Sequence, residues 1–361
     1  MKTQEFNINS AARFLSLMAA LGLTSTALAK TVILPAGSVN ALAAAVANAG
    51  LGGTVIVKTG LHTESGEVLV GFRAHIMGEP GAILESGTSP GATFPITVLG
   101  GIHLKGAAGA TVSGIWFRPP SGSTASCAVV VEDSPHAEVV DNRVTESQYG
   151  VIVQGSDFAV VRDNNISVTV RWSLPASDPA FLIDAEGIMV IKGQKVHITG
   201  NQVANAIIGI FGGDVSGQVM GNSLSGNYIG AQLCHIPVGF YKISGSDAAS
   251  PQPGNLWVIA NNVAHNNAWG IQLTDSSHDN RVVNNDATGN GDPAVWGVLG
   301  YDIELTGDTT RFAPYPPVAG ATFNNLAVAG EYKNVVLKDC GNNDAIAGQF
   351  NLVDTSKDPC Y

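Results

Sequence analysis

The sequence predicts an all-β fold, a parallel β-helix in which short strands wind into stacked coils. One asparagine returns in a short apolar frame, as in Val139-Val140-Asp141-Asn142-Arg143-Val144. Eight or nine residues later a glycine opens an alternating strand, as in Gly150-Val151-Ile152-Val153. The shorter spacings between these asparagines are about 22 residues, and a fixed period of that size is typical of solenoids that bury a core by stacking. The asparagines are Asn142, Asn164, Asn201, Asn222, Asn261, Asn285 and Asn324.

The N-terminus has the pattern of an export signal. Lys2 and Arg13 precede the apolar run Phe14 to Leu23, and Ala27-Leu28-Ala29 is a small-x-small cleavage pattern. The apolar run is too short to cross a bilayer, and the sequence has no other candidate membrane span. We therefore expect residues 1–29 to be removed and the protein to be secreted or periplasmic.

Residues 30–361 are predicted to form one β-helix domain. After a short strand at Thr31-Val32-Ile33-Leu34, residues 38–48 carry apolar side chains at helical spacing, with Ser38 as the expected N-cap. This helix would cover the first coil, because the ends of a solenoid need a cap. Short strands and glycine turns follow, and residues 307–361 are expected to close the C-terminal end.

Composition limits the class of partner. The chain has a net charge of −11 and only 13% charged residues, whereas nucleic-acid binding needs basic side chains to neutralise phosphates. We expect no nucleic-acid partner and a monomeric protein. A polyanionic glycan would need a cation or a local basic patch to bind.

Four cysteines would face an oxidising compartment after export. Cys340 and Cys360 are close together in the C-terminal segment and are expected to form a disulfide. Cys127 and Cys234 lie in apolar strands and are expected to be buried thiols. Their spacing does not resemble a zinc site.

The repeats resemble those of the pectin-lyase-like superfamily of right-handed parallel β-helices, in the style of its NosD-type, PbH1-repeat members. The resemblance rests on the Asn-x-Val/Ile frame, the Gly-Ile-x-Val strand and the opening Gly53-Thr54-Val55-Ile56-Val57. It covers essentially the whole mature chain. It implies a single-stranded, right-handed β-helix, and it implies polysaccharide lyases, glycoside hydrolases, uronan epimerases or non-enzymatic surface proteins as functions.

A candidate site follows from the alternation of side chains within the glycine strands. The second residue after each glycine should point out of the coil, and this column turns polar towards the C-terminus at Gln232, Gln272 and Glu304. Five residues after each glycine, a second column runs through Lys192, Asp214, His235 and Asp275. Because coils are about 4.8 Å apart, the sequence predicts a row of polar groups within reach of one another.

Insertions are expected to flank this row and form a groove. Residues 168–185 carry Arg171 and Trp172, and residues 237–254 carry Tyr241 and Lys242. Shorter insertions follow at 288–296 and 307–320. Long loops on a rigid scaffold are where functional sites tend to lie. Aromatic residues that could pack against sugar rings are Trp172, Tyr228, Tyr241, Trp269 and Trp296.

Three functions remain open, with polysaccharide lyase as the leading one. In β-elimination, His235, Lys242 or Arg171 would act as base or neutralise a uronate, with Tyr241 as acid. A hydrolase or epimerase would use Asp214, Asp275 and Glu304 as paired carboxylates, and a non-catalytic protein would use the groove only for binding. The pectate-lyase Arg-x-Pro-x-x-Arg and epimerase Asp-Pro-His-Asp signatures are absent from the sequence. Substrate contacts are expected from Lys192, Arg171, Trp172, Gln232, Gln272, Tyr228, Trp269 and Trp296.

A bound Ca²⁺ is also possible, since clustered aspartates supply the oxygen ligands it prefers. Asp141 and Asp163 share the position before the repeated asparagine, on a different face from the groove. No other cofactor is implied by the sequence.

Overall fold

A computed structural model describes most of the mature chain. The described residues are 29–88, 96–123, 125–168, 185–234, 236–243, 246–250, 254–274, 276–296, 300–306, 321–322, 324–331 and 334–356. The expected export signal lies outside them, apart from Ala29.

The described chain is almost entirely made of short strands, with two short helices. The first half contains β1 (Thr31–Leu34), α1 (Leu42–Ala49), β2 (Thr54–Val57), β3 (Gly60–Glu64), β4 (Val68–Val70), β5 (His75–Gly78), β6 (Ala82–Ser86), β7 (Ile96–Val98), β8 (Gly100–Lys105), β9 (Thr111–Ser113), β10 (Trp116–Arg118), β11 (Ala125–Glu132), β12 (Glu138–Val140), β13 (Arg143–Thr145), β14 (Ser147–Gln154), β15 (Val160–Arg162), β16 (Asn165–Ser167) and β17 (Glu186–Thr199). The second half contains β18 (Gln202–Ala204), β19 (Ile208–Met220), β20 (Ser223–Ser225), β21 (Ile229–Leu233), β22 (Ile236–Ile243), β23 (Ser246–Ser250), β24 (Trp257–Ala260), β25 (Val263–His265), β26 (Trp269–Leu273), β27 (Arg281–Val283), α2 (Pro293–Trp296), β28 (Ile303–Leu305), β29 (Leu326–Val328), β30 (Val336–Asp339), β31 (Ala345–Ala347) and β32 (Leu352–Asp354).

These strands stack in parallel as three ladders, which confirms the predicted β-helix. Ladder 1 runs β4, β8, β11, β14, β17, β19, β21, β26, β28, β30, β32. Ladder 2 runs β1, β2, β5, β9, β12, β15, β17, β19, β24, β27, β29, β31. Ladder 3 runs β3, β6, β10, β13, β16, β18, β20, β25. The long strands β17 and β19 each contribute to both ladder 1 and ladder 2.

The core lies inside the coils, where the alternation of the glycine strands predicts it. Val151, Ile188, Ile271 and Ile303 are stacked on ladder 1 and all are at most 2% exposed. Each coil supplies only a few apolar side chains, so the core is closed by its neighbours above and below.

A hydrogen-bonded asparagine ladder holds the turns between ladders 2 and 3. The Oδ1 atom of Asn164 accepts from both the backbone N and Nδ2 of Asn142, at 3.0 and 3.1 Å. The same double contact joins each next pair, through Asn201, Asn222, Asn262 and Asn285. These amides therefore satisfy buried backbone N–H groups that would otherwise lack a partner.

Two positions predicted for this ladder were wrong by one residue. Asn262, not Asn261, is the buried member of the ladder, and the step from Asn262 to Gly270 becomes eight residues as in most other coils. Asn261 is exposed, and its Oδ1 accepts from Asn284 Nδ2 at 2.8 Å. Asn325, not Asn324, is the buried amide, and it belongs to a separate ladder under Asn280. Adjacent asparagines made the register ambiguous in the sequence.

The left-handed backbone position is the residue before each ladder asparagine. Asp141, Asp163 and Asn261 have φ of 54°, 58° and 55°, and glycine takes the same place at Gly200 and Gly221. The repeated asparagine therefore contributes its amide to the ladder, and only the residue before it needs tolerance of positive φ.

The N-terminal helix is confirmed, over a slightly shorter range than 38–48. Helix α1 buries Leu42 and Val46 against the first coils. Ser38 is not its cap; instead Glu64 Oε1 accepts from the backbone N of Ala41 and Leu42 at 3.0 and 2.9 Å. A carboxylate from the next coil thus satisfies the free N–H groups of the first turn.

A small sheet formed by β7, β22 and β23 stands apart from the three ladders. Strand β22 pairs in parallel with β7 and antiparallel with β23, and β23 lies against β17 of ladder 1. Val98 and Ile243 in this sheet are fully buried. We call it the cover sheet, because it packs on the outer side of ladder 1.

The remaining sequence predictions about the fold have mixed outcomes. Cys127 and Cys234 are buried free thiols, as expected. Cys360 lies outside the described residues, so its disulfide with Cys340 stays a prediction. Within residues 307–361, strands β29 to β32 extend the ladders, whereas 307–320 are not described. No helix in the described part of the chain is long and apolar enough to cross a membrane.

Candidate functional site

The predicted outward column exists on ladder 1 and is longer than the sequence suggested. Strand register aligns Gln232 with Gln272, and Gln272 with Glu304. The column continues to Lys338 and Asp354 in the next two coils. In the other direction it passes through Phe211, Met189, Ile152, Val130 and His103.

The middle of this column, which precedes its polar part, is covered. Ile152, Met189 and Phe211 point out of the coil, yet they are 0%, 1% and 6% exposed. They form a second apolar layer on the outer side of ladder 1, where the cover sheet packs. Apolar side chains at outward positions were the available signal, since such a stripe is normally covered.

The polar part of the column is a hydrogen-bonded chain. Gln232 Nε2 donates to Gln272 Oε1 at 2.7 Å, and Gln272 Nε2 donates to Glu304 Oε2 at 2.8 Å. Gln232 and Glu304 are buried, at 8% and 0% exposure, and Gln272 is half-buried. The structure therefore brings these three predicted residues together, as a rigid floor whose polar groups bond to one another.

Lys338 extends this chain and was missed by sequence reasoning. Its ammonium group is fully buried and donates to Asp354 Oδ2, Ser356 O and Ser356 Oγ at 2.8 to 2.9 Å. The bond from Lys338 lowers the pKa of Asp354 to about 2. The frame Val336-Leu337-Lys338-Asp339 aligns with Ile303-Glu304-Leu305 one coil earlier, so extending the column by one repeat would have found it.

A second polar cluster lies at the opposite end of the same column and was also missed. His103 is fully buried between two carboxylates, with Nδ1 3.1 Å from Glu67 Oε1 and Nε2 2.9 Å from Glu132 Oε2. Glu132 Oε1 also contacts Lys105 Nζ at 3.1 Å. The signal was present in Gly101-Ile102-His103-Leu104, which matches the glycine-strand frame with His103 at the outward position.

Cys127 lies on the coil beside this cluster. Its strand partner is Gly100, whose backbone N donates to Glu67 Oε1 at 2.8 Å. Burial raises the pKa of the Cys127 thiol far above its usual value. Because the thiolate is the reactive form of cysteine, Cys127 is a packed thiol and not a nucleophile.

Two predicted aromatic residues meet at the start of ladder 1 strands. The rings of Tyr228 and Trp269 are 5.2 Å apart in an edge-to-face arrangement. Both are half-buried and pack against the core, so each presents only part of its surface to a ligand. Trp296 ends helix α2, and its side chain lies outside the described set.

The second predicted column is described only in part. Ile191 pairs with Gly213 and Gly193 with Val215, which sets Lys192 opposite residue 214. Lys192 is half-buried, with φ of 59°. Cys234 and Thr274, which precede His235 and Asp275, also stack on consecutive coils through Cys234 N to Gly212 O and Thr274 N to Leu233 O.

Several predicted site residues lie outside the described residues or side chains. His235, Asp275, Arg171 and Trp172 are not described. Tyr241 and Lys242 lie in β22, where they pair with Ile96 and Thr97 of β7, and only their backbone is described. The same holds for Asp214 in β19. Their roles stay predictions.

The inserted segments all join the coils at ladder 1. Residues 169–184 directly precede β17, residues 235–253 follow β21, and residues 307–320 follow β28. Ladder 3 strands are joined to ladder 2 strands by short turns instead, as between Val140 and Arg143. Insertions therefore concentrate on the wall that carries the polar column.

No metal centre is formed by the described residues. Among them, no group of three or more histidine, cysteine or acidic side chains is arranged to hold an ion. Asp163 contacts the guanidinium of Arg162 at 3.0 Å, so one of the two aspartates considered for Ca²⁺ already has a cationic partner.

Comparison with known proteins agrees with this geometry. The family model for the right-handed β-helix region matches residues 100–310. The sequence matches no curated protein. Structural similarity at low identity shows the fold alone.

Three solved structures illustrate that similarity, each at 12% identity. PfbA, a surface adhesin of Streptococcus pneumoniae, has a TM-score of 0.51 over 86% of this chain and 84% of its own. An alginate lyase from Paenibacillus sp. str. FPU-7 has a TM-score of 0.49 over 90% and 99%. ORF18 of Geobacillus virus E2 has a TM-score of 0.47 over 98%, and this chain spans only 62% of its length.

Parallel ladders in register, a core closed by stacking and a family match over more than half of the sequence lead to one conclusion. The chain belongs to the right-handed β-helix family.

Proposed function

We propose that the protein cleaves a polysaccharide by β-elimination, in a groove over the C-terminal half of ladder 1. The main observation that supports this proposal is that the long insertions connect to strands of ladder 1, beside the Gln232–Gln272–Glu304 chain. Polar groups repeated about every 4.8 Å along a solenoid suit a polymer better than a compact ligand. Loops on a rigid scaffold supply the reacting groups in many enzymes.

The roles in the proposed reaction follow from chemistry and from position in the coil. Elimination requires a base that removes the proton from the carbon beside the uronate carboxylate. It also requires a cation that neutralises that carboxylate. His235 is the candidate base, Lys242 or Arg171 the candidate cation, and Tyr241 the candidate acid. The bonded chain below them would hold the wall rigid, because Glu304 is fully buried and bonded to Gln272.

Hydrolysis by paired carboxylates is the weaker alternative. It would need Glu304 to reach a glycosidic oxygen, together with Asp275 or Asp214 at one of the spacings used by glycosidases. The burial of Glu304 in the structure opposes that role.

A non-catalytic glycan-binding protein is the second candidate function. It is favoured by the mutual bonding of Gln232, Gln272 and Glu304, because side chains that satisfy one another do not need a reaction to explain them. Tyr228 and Trp269 at the edge of the same wall would then contribute contact surface.

An assay with several glycans separates these functions. The purified mature protein is incubated with a panel of uronans and neutral glycans, with and without EDTA. We expect new ultraviolet absorbance from unsaturated products with at least one uronan. New reducing ends without that absorbance would favour hydrolysis, and binding without any product would favour the glycan-binding protein. Activity that is present without EDTA and lost when EDTA is added would support a bound Ca²⁺.

Two variants test the assigned groove. His235→Ala should lower the elimination rate by about 100-fold or more, the usual contribution of a general acid or base. Asp275→Ala should lower it as well, because Asp275 is the expected neighbour of His235 in the same row. His197→Ala is the matched control, because His197 is half-buried on ladder 2 and therefore on another wall. The proposed site would be wrong if both groove variants fold and keep full activity. It would also be wrong if the control loses as much activity as they do.

We also propose that residues 1–29 direct export and are cleaved before Lys30. An intact mass that begins at Lys30 in the exported protein would support this, and retention of Met1 would contradict it. Peptide mapping without reductant should then recover Cys340 linked to Cys360, since an exported protein meets oxidising conditions.

A further inference from the structure

The outer side of ladder 3 differs in charge from the rest of this acidic chain. We call the outward side chains of β10, β13, β16, β18 and β20 the ladder 3 face. In each of these strands the middle residue is buried and the two residues beside it point outward. The outward positions include Arg118 and Arg143 and no acidic residue, although the chain has a net charge of −11. A local basic patch of this kind is what a polyanionic glycan needs in order to bind.

Trp116 positions the exposed arginine of this face. The guanidinium carbon of Arg143 lies 4.2 Å from the centre of the Trp116 ring, and that of Arg118 lies 5.1 Å from it. Trp116 Nε1 donates to Thr145 Oγ1 at 2.8 Å, which ties the ring to β13. A guanidinium group stacked on a ring can still donate hydrogen bonds in its own plane. Arg143 is therefore preorganised, and preorganisation lowers the entropic cost of binding a ligand.

The two arginines differ in their partners. Arg118 is paired, since its Nε and Nη2 atoms lie 3.0 and 2.8 Å from Glu85 Oε1. Arg143 is exposed, and its guanidinium group forms no hydrogen bond or ion pair with another described residue. Asp141 and Glu146 lie in the bends on either side of β13 and not within the strand. Arg143 is thus the cation of the ladder 3 face whose donors remain available.

Uncharged polar side chains continue from Arg143 along the face. Strand register aligns Arg143 with Asn165, Asn165 with Gln202, and Gln202 with Ser223. All four are exposed, and the last three form no side-chain hydrogen bond with other described residues. In the polar column of ladder 1, by contrast, the side chains bond to one another. Amide and hydroxyl groups both donate and accept hydrogen bonds, so this column can bond to the hydroxyl groups of sugars.

We propose that the ladder 3 face binds a carboxylate-bearing polysaccharide, at a site separate from the ladder 1 groove. Arg143 would bind a uronate carboxylate through two parallel N–H···O bonds. Asn165, Gln202 and Ser223 would bond to hydroxyl groups further along the polymer, because the polar side chains repeat about every 4.8 Å. A nucleic acid fits this face less well, since its binding depends on neutralising many phosphates. The proposal does not rest on elimination at ladder 1, because a polymer can bind here without being cleaved.

Affinity electrophoresis in the presence of EDTA measures this binding. The mature chain is run in gels that contain polygalacturonate, alginate, methyl-esterified polygalacturonate or no polymer, and EDTA removes cations that could bridge acidic groups. We expect at least one uronan to retard the protein, and added salt to weaken the retardation by screening the charges. The esterified polymer, which lacks the carboxylate charge, should bind about tenfold more weakly or less. Equal retardation by the esterified and the charged polymer would contradict recognition of a carboxylate.

Three variants with the same change in net charge test the position of the site. Arg143→Gln removes the cation and Gln202→Glu adds an anion to the face, so each should weaken binding about tenfold or more. Arg162→Gln is the matched control, because Arg162 is an exposed arginine on ladder 2 that contacts Asp163. It should bind as the wild type does. Each variant is compared with its own migration without polymer, and circular dichroism checks that it is folded.

Four results would overturn the proposal. They are no retardation of the wild type by either uronan, full retardation of both face variants, an equal loss in Arg162→Gln, and retardation of the wild type by DNA alone. Elimination is measured separately, from ultraviolet absorbance with a short oligouronate. Arg143→Gln should keep the wild-type rate in that assay, and a lower rate would contradict a site separate from the groove. Retardation without any cleavage would contradict elimination and support the ladder 3 site.

Discussion

Gln272 Nε2 donates a hydrogen bond to Glu304 Oε2 at 2.8 Å, from one coil to the next. The two residues are 32 positions apart in the chain, and their contact exists only because Ile271 and Ile303 stack in register. Glu304 is fully buried.

Two substitutions of Glu304 should differ in the size of their effect on stability. Glu304→Gln should change the free energy of unfolding by about 1 kcal/mol or less, since its amide oxygen can still accept from Gln272. Glu304→Leu should lower it by about 1–3 kcal/mol, because the Gln272 amide loses its acceptor. Urea unfolding of both variants measures the difference, and equal stability would contradict a bonded chain.

Adjacent Asn261 and Asn262 should respond differently to substitution. Asn262→Ala should destabilise the protein by about 2 kcal/mol or more, since Asn222 N and Nδ2 would both lose their acceptor. Asn261→Gly should lower stability by about 1 kcal/mol or less, because its φ of 55° suits glycine and the bond it accepts from Asn284 Nδ2 is exposed. Thermal unfolding tests both, and a larger loss at Asn261 would reverse our assignment of the ladder.

Asp302 and Asp344 should make the protein relatively more stable in acid. Burial raises the pKa of both carboxyl groups, despite the N–H groups that bond to them. A raised folded-state pKa favours the protonated form, so this contribution is present below the unfolded pKa near 3.8 and is lost as pH rises through the folded value. Asp344→Asn should remove its share of that pH dependence in unfolding experiments between about pH 3 and 7.

Asp302→Asn is the informative contrast to Asp344→Asn. Asp302 accepts from Asn290 with Oδ1 and from Val336 N with Oδ2 at 2.9 Å. In Asp302→Asn an NH₂ group replaces one of the two carboxylate oxygens. This NH₂ group would face either the Val336 N–H or the Asn290 donors, and the bond on that side would be lost. We therefore expect the free energy of unfolding to fall by about 1–3 kcal/mol at neutral pH. Asp344 Oδ2 contacts the Thr322 hydroxyl, which can accept as well as donate, so Asp344→Asn should be tolerated. Equal effects at both sites would contradict this account.

Lys338→Met should return the pKa of Asp354 towards its ordinary value. The Lys338 bond is the largest cause of the depressed pKa of about 2. A depressed pKa contributes stability above the unfolded value, which is lost as pH falls through about 2. Carboxyl NMR titration of the two proteins measures the change directly. An unchanged Asp354 pKa in a folded variant would show that Ser356 alone accounts for the shift.

Much of the fold was predictable because the repeats carry local signals that stacking does not alter. The glycine strands around Val151 and Ile271 alternate as strands do, and the asparagine frame marks each turn. The register at Asn261 and Asn262 was predicted wrongly, because both residues fit the local frame. The eight-residue step from Asn262 to Gly270 was the available signal, and the amide contact with Asn222 identifies Asn262.

The sequence was sufficient to predict which residues of the candidate site align in a column. It was not sufficient to predict how exposed their side chains are. Gln232, Gln272 and Glu304 follow from counting after each glycine. Met189 and Phe211 are nevertheless buried at outward positions, and the cover sheet that contacts β17 pairs β7 with β22, which are far apart in the sequence. Lys338 was missed because its coil departs from the glycine frame. His103 was missed because its coil precedes the first recognised copy of that frame.

The asparagine ladder also bears on how this chain can change length. Each ladder amide bonds to the next coil and donates to a carbonyl of the coil before it, so its requirements between coils are the same at Asn164 as at Asn222. Duplication or loss of one entire turn of the superhelix would leave each surviving amide with an equivalent neighbour. Such a protein can be lengthened in whole units, whereas a gain of one or two residues inside a strand would break the contacts on both sides of it.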